Sequence, residues 1–193
     1  LVDASGVPAL TTGTARGVVP EDHPLYAGCP GRLGDKTADA ALAEADCVVA
    51  VGVRLTDLTT SDWNLPRPET ILFQVNIDPE ALGREMPVTM RIEADAGLFL
   101  DSLCVQLSKP PLANGKWGFA WHEKLIFERT SHMSDSTDEL SPEALLANIA
   151  RNLRPNALLT VGAGIHTRYF NKLLVREAPG NLHSVGLGSM CLA

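Results

Sequence analysis

At 193 residues and 45% apolar content, the chain is long enough for one large domain or two small ones and too apolar for a disordered tail. A formal net charge of -7 without clustered Lys and Arg argues against a nucleic-acid surface, and the absence of a signal peptide or an apolar stretch of about 20 residues points to a soluble, cytoplasmic protein with no membrane partner. The four cysteines, Cys29, Cys47, Cys104 and Cys191, form no C-x-x-C pair, so neither a zinc knuckle nor a disulfide scaffold is indicated, and Cys47 and Cys104, in apolar runs, are expected in the core.

Leu1 to Gly6 reads as the last turn of a helix closed by a glycine, and Val7 to Thr12 as a strand with Pro8 near its start. Gly13 to Gly34, rich in glycine and proline and without periodicity, reads as one long loop. A helix from about Gly34 to Asp46 leads into Cys47-Val48-Val49-Ala50-Val51, an unbroken apolar run that stops on Gly52 and hands over to Arg54-Leu55-Thr56-Asp57. A run without alternation fits a strand buried on both faces of a parallel sheet, and ligands of such sheets sit outside the carboxyl ends of the strands.

After a polar loop, Thr59 to Thr70, the run Ile71 to Ile77 predicts a second strand ending at Asp78-Pro79, and Pro79 suits the first position of a short helix. Val88 to Glu93 predicts another strand. Asp95 caps a helix, Ala96 to Leu107, with Phe99, Leu100, Leu103 and Leu107 at helical spacing. Alternating strands and helices imply an α/β fold, a parallel sheet flanked by helices.

Ser108-Lys109-Pro110-Pro111 breaks the pattern, which gives a first domain over residues 1–107, a linker over 108–140 that includes a surface helix from Trp117 to Met133, and the beginning of a second α/β domain over 141–193. That unit opens at Ser141-Pro142-Glu143, an N-cap, a first-turn proline and a first-turn acid together. A helix to about Leu153, a strand Ala157 to Val161, a helix from His166 to about Arg176, a turn at Pro179-Gly180 and a strand near Leu182 to Val185 follow. The chain opens on Leu1 rather than methionine and closes on what reads as a first helical turn, so a piece of a longer protein is expected.

Two strand ends carry G-x-G, at Gly162-Ala163-Gly164 and Gly186-Leu187-Gly188, turns whose backbone N–H groups can close round a phosphate. Neither completes a dinucleotide fingerprint, because Thr167 and Cys191 stand at the third glycine position, and each alone fits a tight turn better than a ligand site. Arg54 suits a phosphate or adenine, or equally a surface pair with Asp57; Asp78 suits ribose hydroxyls, or an ordinary turn. His166 is placed to approach a phosphate, although a lone histidine is more often solvated, and no set of histidines and cysteines has metal-ligand spacing.

Four segments, Val7 to Thr12, Gly17-Val18-Val19-Pro20-Glu21-Asp22-His23-Pro24-Leu25-Tyr26-Ala27-Gly28, Ala45 to Arg54 and Val75 to Pro79, strongly resemble the central domain of thiamine diphosphate-dependent enzymes such as acetolactate synthase and the 2-oxo acid decarboxylases. Gly186 to Met190 is similar to that family's turn at the start of the diphosphate-binding domain. The resemblance implies a cofactor, thiamine diphosphate with Mg2+, held between subunits of a homo-oligomer, dimer or tetramer, and a 2-oxo acid substrate that is decarboxylated or passed on as an acyl group.

By the same resemblance Gly162, Gly164, His166, Gly188 and Met190 are the thiamine diphosphate residues, Met190 wedging the cofactor and the Gly188 carbonyl holding its aminopyrimidine, with Cys191 departing from a usual glycine. Gly31, Gly34, Gly52, Arg54, Asp78 and Asp95 are the positions for FAD or ADP in those members whose central domain binds a nucleotide. The motif Gly-Asp-Gly with its distant asparagine and the activating glutamate of the pyrimidine domain are not in these residues, so the segment alone, with no catalytic residue and no metal ligand of its own, is expected to be inactive. A stand-alone FAD-, NAD- or ADP-binding module of the same fold, sirtuin-like for example, is the competing reading; missing zinc cysteines and the turn from Gly188 to Met190 weigh against its sirtuin form.

Overall fold

The structure, a computed structural model, describes residues 1–107, 141–154, 157, 159–162, 164, 166–173 and 182–184. The expected linker over 108–140, its helix from Trp117 to Met133, the turn at Pro179-Gly180 and residues Gly188, Met190 and Cys191 lie outside the described residues.

Helix α1, Val2–Ser5, ends on Gly6, whose N–H donates to the Val2 carbonyl. Strand β1, Ala9–Leu10, pairs in parallel with β2, Tyr26–Gly28. The expected single loop over Gly13 to Gly34 is therefore interrupted, by β2 and by a 3₁₀ turn at Gly13–Ala15. Between Pro24 and the turn glycine Gly28 the apolar run is too short to signal a strand, and β1 supplies the pairing that makes it one.

Helix α2, Lys36–Glu44, is capped by the Asp35 carboxylate, which accepts from the Ala38 N–H. Its Ala41 packs with Ala27 of β2, and Leu10 and Ala40 close this small core.

Strands β3, Cys47–Val51, β4, Ile71–Asn76, and β5, Met90–Glu93, form a parallel sheet in the order β3-β4-β5, with Val49 opposite Phe73 and Phe73 opposite Met90. The connection from β4 to β5 holds a 3₁₀ turn, Pro79–Ala81, begun by the proline as its fixed φ favours. On one face of the sheet Ala50 and Leu72 are buried with Leu55, and Val48, Val53, Met86 and Val88 pack round them.

The other face departs from expectation, because a strand buried on both sides was predicted. Val49, Ile71 and Met90 are 46%, 48% and 51% exposed, and Cys47, expected in the core, is exposed as well. The reason is the placement of helices: α2 packs on β2 rather than β3, so half of this apolar row has no cover among the described residues. Helix α3, Ala96–Leu107, leaves its Phe99, Leu100, Leu103 and Leu107 stripe half-buried and puts Leu98 and Val105 in solvent.

In the second unit α4, Pro142–Asn152, starts on Ser141, whose hydroxyl accepts from the Ala144 N–H, and buries Leu146. Strand β6, Leu159–Val161, pairs in parallel with β7, Leu182–Ser184, and helix α5, His166–Leu173, stands between them in sequence. No described helix is long and apolar enough to cross a membrane. Every described strand pair is parallel, and the fold is α/β as predicted.

Candidate functional site

Parallel pairing brings the carboxyl ends of β3, β4 and β5 to one edge of the sheet. Gly52 follows β3 and donates its N–H to the Val75 carbonyl; Ala94 follows β5 and donates to the Asn76 carbonyl. The register Asn76 opposite Glu93 then sets the turn that begins at Asp78 beside the one that begins at Asp95. With strands about 4.8 Å apart, Gly52, Asp78 and Asp95 lie side by side along this edge.

The tip of β3 is open. Gly52 has φ 67, a left-handed conformation that suits glycine, and a side chain there would meet nothing within 4 Å. Arg54 is exposed, and among the described residues its side chain has no ion pair or hydrogen bond. Asp57, the alternative partner, is instead 3.7 Å from Arg32, which also bonds Asp62 at 3.1 Å. An unengaged guanidinium beside an uncrowded backbone turn has the donors that a phosphate would need.

Asp78 and Asp95 both work as caps. The Asp78 carboxylate accepts from the Glu80 N–H at 3.0 Å and the Asp95 carboxylate from the Leu98 N–H at 3.0 Å, each bond using one oxygen. The second oxygen of either carboxylate keeps lone pairs for a hydroxyl donor.

Gly31 and Gly34 reach this region by a different route and are buried. Gly31 has φ 101, and a Cβ there would collide with the Leu58 carbonyl oxygen; one at Gly34 would collide with the Cys29 carbonyl oxygen. Their glycine identity is thus required by chain-to-chain approach. The loop is stitched down by Arg32 N–H to the Leu58 carbonyl, by Gly31 N–H to the Asp39 carboxylate, and by the Ser61 hydroxyl on the same carboxylate.

Gln74 was not anticipated. Its amide is 1% exposed, donates to the Val53 carbonyl at 3.0 Å and the Ala81 carbonyl at 3.3 Å, and accepts from the Gly83 N–H at 2.7 Å. The one visible sign was a polar residue inside the apolar run Ile71 to Val75.

Below β2 lies a buried polar cluster. The Arg16 guanidinium donates to both carboxylate oxygens of Glu21, at 2.7 and 2.6 Å, with side chains 3% and 1% exposed, and the Tyr26 hydroxyl sits 2.7 Å from the Thr11 hydroxyl. Burial works against the Arg16 charge, but the hydrogen bonds and charge of Glu21 outweigh it and hold the guanidinium above its ordinary value. Burial also raises the Tyr26 hydroxyl, and it pushes the Cys29 thiol up to about 12.

In the second unit the turn after β6 is closed by the helix that follows it. His166 donates from Nε2 to the Gly162 carbonyl at 2.7 Å, the Thr167 hydroxyl donates to the same carbonyl at 3.1 Å, and a side chain at Gly164 would run into the His166 ring. The imidazole, edge-on to Phe170 with centroids 6.3 Å apart, is therefore committed to the turn rather than projecting from it. Among the described residues no group of His, Cys, Asp and Glu is assembled to hold a metal ion.

Comparison with known proteins covers both units. The family described as thiamine pyrophosphate enzyme, central domain, matches residues 1–103. The acetolactate synthase large subunit of Corynebacterium glutamicum is 30% identical over 192 residues, 96% of this chain and 30% of that protein. Acetolactate synthase of Mycobacterium bovis is 29% identical over 198 residues, 100% of this chain and 32% of that protein. A probable acetolactate synthase large subunit of Methanocaldococcus jannaschii is 27% identical over 194 residues, 95% and 32%. The chain spans about a third of the length of these relatives. With its parallel sheet and open strand tips already in place over the matched residues, the chain belongs to the thiamine pyrophosphate enzyme family, its residues 1–103 matching the central domain.

Proposed function

We propose that this chain is the central domain, residues 1–107, a linker, 108–140, and the start of the diphosphate-binding domain, 141–193, of a homo-oligomeric thiamine diphosphate- and Mg2+-dependent enzyme acting on 2-oxo acids in the manner of acetolactate synthase. The observation that carries this reading is the likeness to acetolactate synthases over the whole chain, past the end of the family match at residue 103. A stand-alone nucleotide module would have no need of the second unit, and is disfavoured.

Thiamine diphosphate, when bound, supplies the nucleophilic carbon that adds to the carbonyl of the 2-oxo acid and accepts the electrons left by decarboxylation. The part of this chain is to position it. Gly162 and Gly164, beside His166, offer backbone without side chains at the end of β6, where a diphosphate would be held, and Gly188 and Met190 are the positions we assign to its aminopyrimidine side.

The described residues at the β3–β5 edge fit a nucleotide: Arg54 for phosphate, Gly52 for close backbone approach, Asp78 and Asp95 for hydroxyl groups. We assign FAD or ADP to this edge, with Gly31 and Gly34 shaping its wall. The complete protein containing this chain, purified and assayed with pyruvate, thiamine diphosphate and Mg2+, is expected to release carbon dioxide and form acetolactate. Absence of any cofactor-dependent turnover across a panel of 2-oxo acids would overturn the reading.

A further inference from the structure

Arg16 does more than neutralise Glu21. Two of its nitrogens are taken by the carboxylate, and the third, Nη1, donates to the backbone carbonyl of Phe170 at 2.7 Å, a contact between residues 154 positions apart. Phe170 belongs to α5, His166–Leu173. The bond is charge-assisted, a guanidinium nitrogen on a backbone carbonyl of the helix. The 3₁₀ turn Gly13–Ala15, just ahead of Arg16, also approaches β7, so the contact has a second anchor.

We propose that Arg16, oriented by Glu21, is the positioning residue that fixes α5 of the second unit to the first unit, and through α5 sets the glycine turn after β6. The path is continuous: Arg16 holds the Phe170 carbonyl, α5 runs back about one turn to Thr167 and His166, and these hold the Gly162 carbonyl. Glu21 fixes the fork of the guanidinium in one plane, and lysine, a point donor on a flexible stem, cannot make both contacts in the same geometry. The link from this turn to thiamine diphosphate rests on the function proposed above; the docking of α5 does not.

The test uses the complete protein. Arg16→Lys keeps the charge, and the double variant Arg16→Met/Glu21→Leu replaces a buried pair by apolar side chains of similar volume, a change buried ion pairs tolerate without loss of the fold. Hydrogen exchange of the α5 amides is expected to accelerate about ten-fold in the double variant and less in Arg16→Lys, with β3 and β4 unchanged, since a bond to a charged donor is lost. The dissociation constant for thiamine diphosphate is expected to rise by about ten-fold while turnover at saturation is kept. Unchanged α5 exchange in the folded double variant, or exchange raised equally in β3 and β4, overturns the proposal. A wild-type protein that binds no thiamine diphosphate would instead refute the function, and the exchange result would still decide the role of Arg16.

Discussion

The Gln74 side chain donates to the Val53 carbonyl across the tips of β4 and β3, 3.0 Å away. The same amide holds the Ala81 carbonyl and the Gly83 N–H, so one buried residue joins the turn that precedes Arg54 to the turn that follows Asp78. The open edge of the sheet is a shape that Gln74 maintains from beneath.

Replacing Gln74 by leucine keeps the volume and removes all three bonds, leaving two carbonyls and one N–H without partners. The expected loss is about 3–5 kcal/mol of unfolding free energy, from a cost of ~1–3 kcal/mol per buried unsatisfied group. A urea denaturation midpoint unchanged by the substitution would show that the amide is not the tie described.

Glycines 31 and 52 separate packing from binding. Gly31→Ala drives a methyl group into the Leu58 carbonyl at φ 101, and a loss of about 2 kcal/mol or more is expected. Gly52→Ala meets no neighbour and costs only the left-handed backbone, about 1 kcal/mol. Nucleotide affinity is expected to fall for Gly52→Ala beyond what its small loss of stability explains, as isothermal titration with FAD and ADP would show.

Arg54→Ala removes a side chain that nothing among the described residues engages. Its thermal midpoint is expected to stay within experimental scatter, while affinity for FAD or ADP drops roughly ten- to hundred-fold, the scale of a charge-assisted phosphate contact. Equal affinity of wild type and variant would remove Arg54 from the site.

Cys29 gives a dependence on alkaline pH. Its ordinary value is 9.0 and burial raises it to about 12 in the folded chain. The neutral thiol therefore contributes stability that is complete below pH 9 and declines as the pH rises from 9 towards 12, because the unfolded chain ionises first. Urea midpoints taken between pH 8 and 11 are expected to fall, and Cys29→Ala is expected to flatten that fall.

What could be read in one dimension was local chemistry. Asp95, Ser141 and Pro79 each begin their helix or turn as their residue types demand, because capping depends on two or three neighbouring residues. The apolar runs located β3 and β4. Strand β2 escaped notice since its three residues are made a strand by β1, and the exposure of Cys47 and Val49 depends on where α2 packs, a tertiary matter. The candidate site divided the same way: Gly52, Arg54 and Asp78 stand at strand ends that the sequence located, and Asp95 was legible as a cap, whereas the tasks of Gln74 and Arg16 are set by partners far along the chain.

The separation of 154 positions between Arg16 and the Phe170 carbonyl also bears on how the chain assembles during synthesis. Its donor emerges early, and the first ladder, β1 with β2, can close from residues that are near neighbours in order of translation. The acceptor arrives late. Helix α5 follows later in the chain, and this distant closure is slower to form than the β1–β2 ladder for the reason that long loops are slow to close.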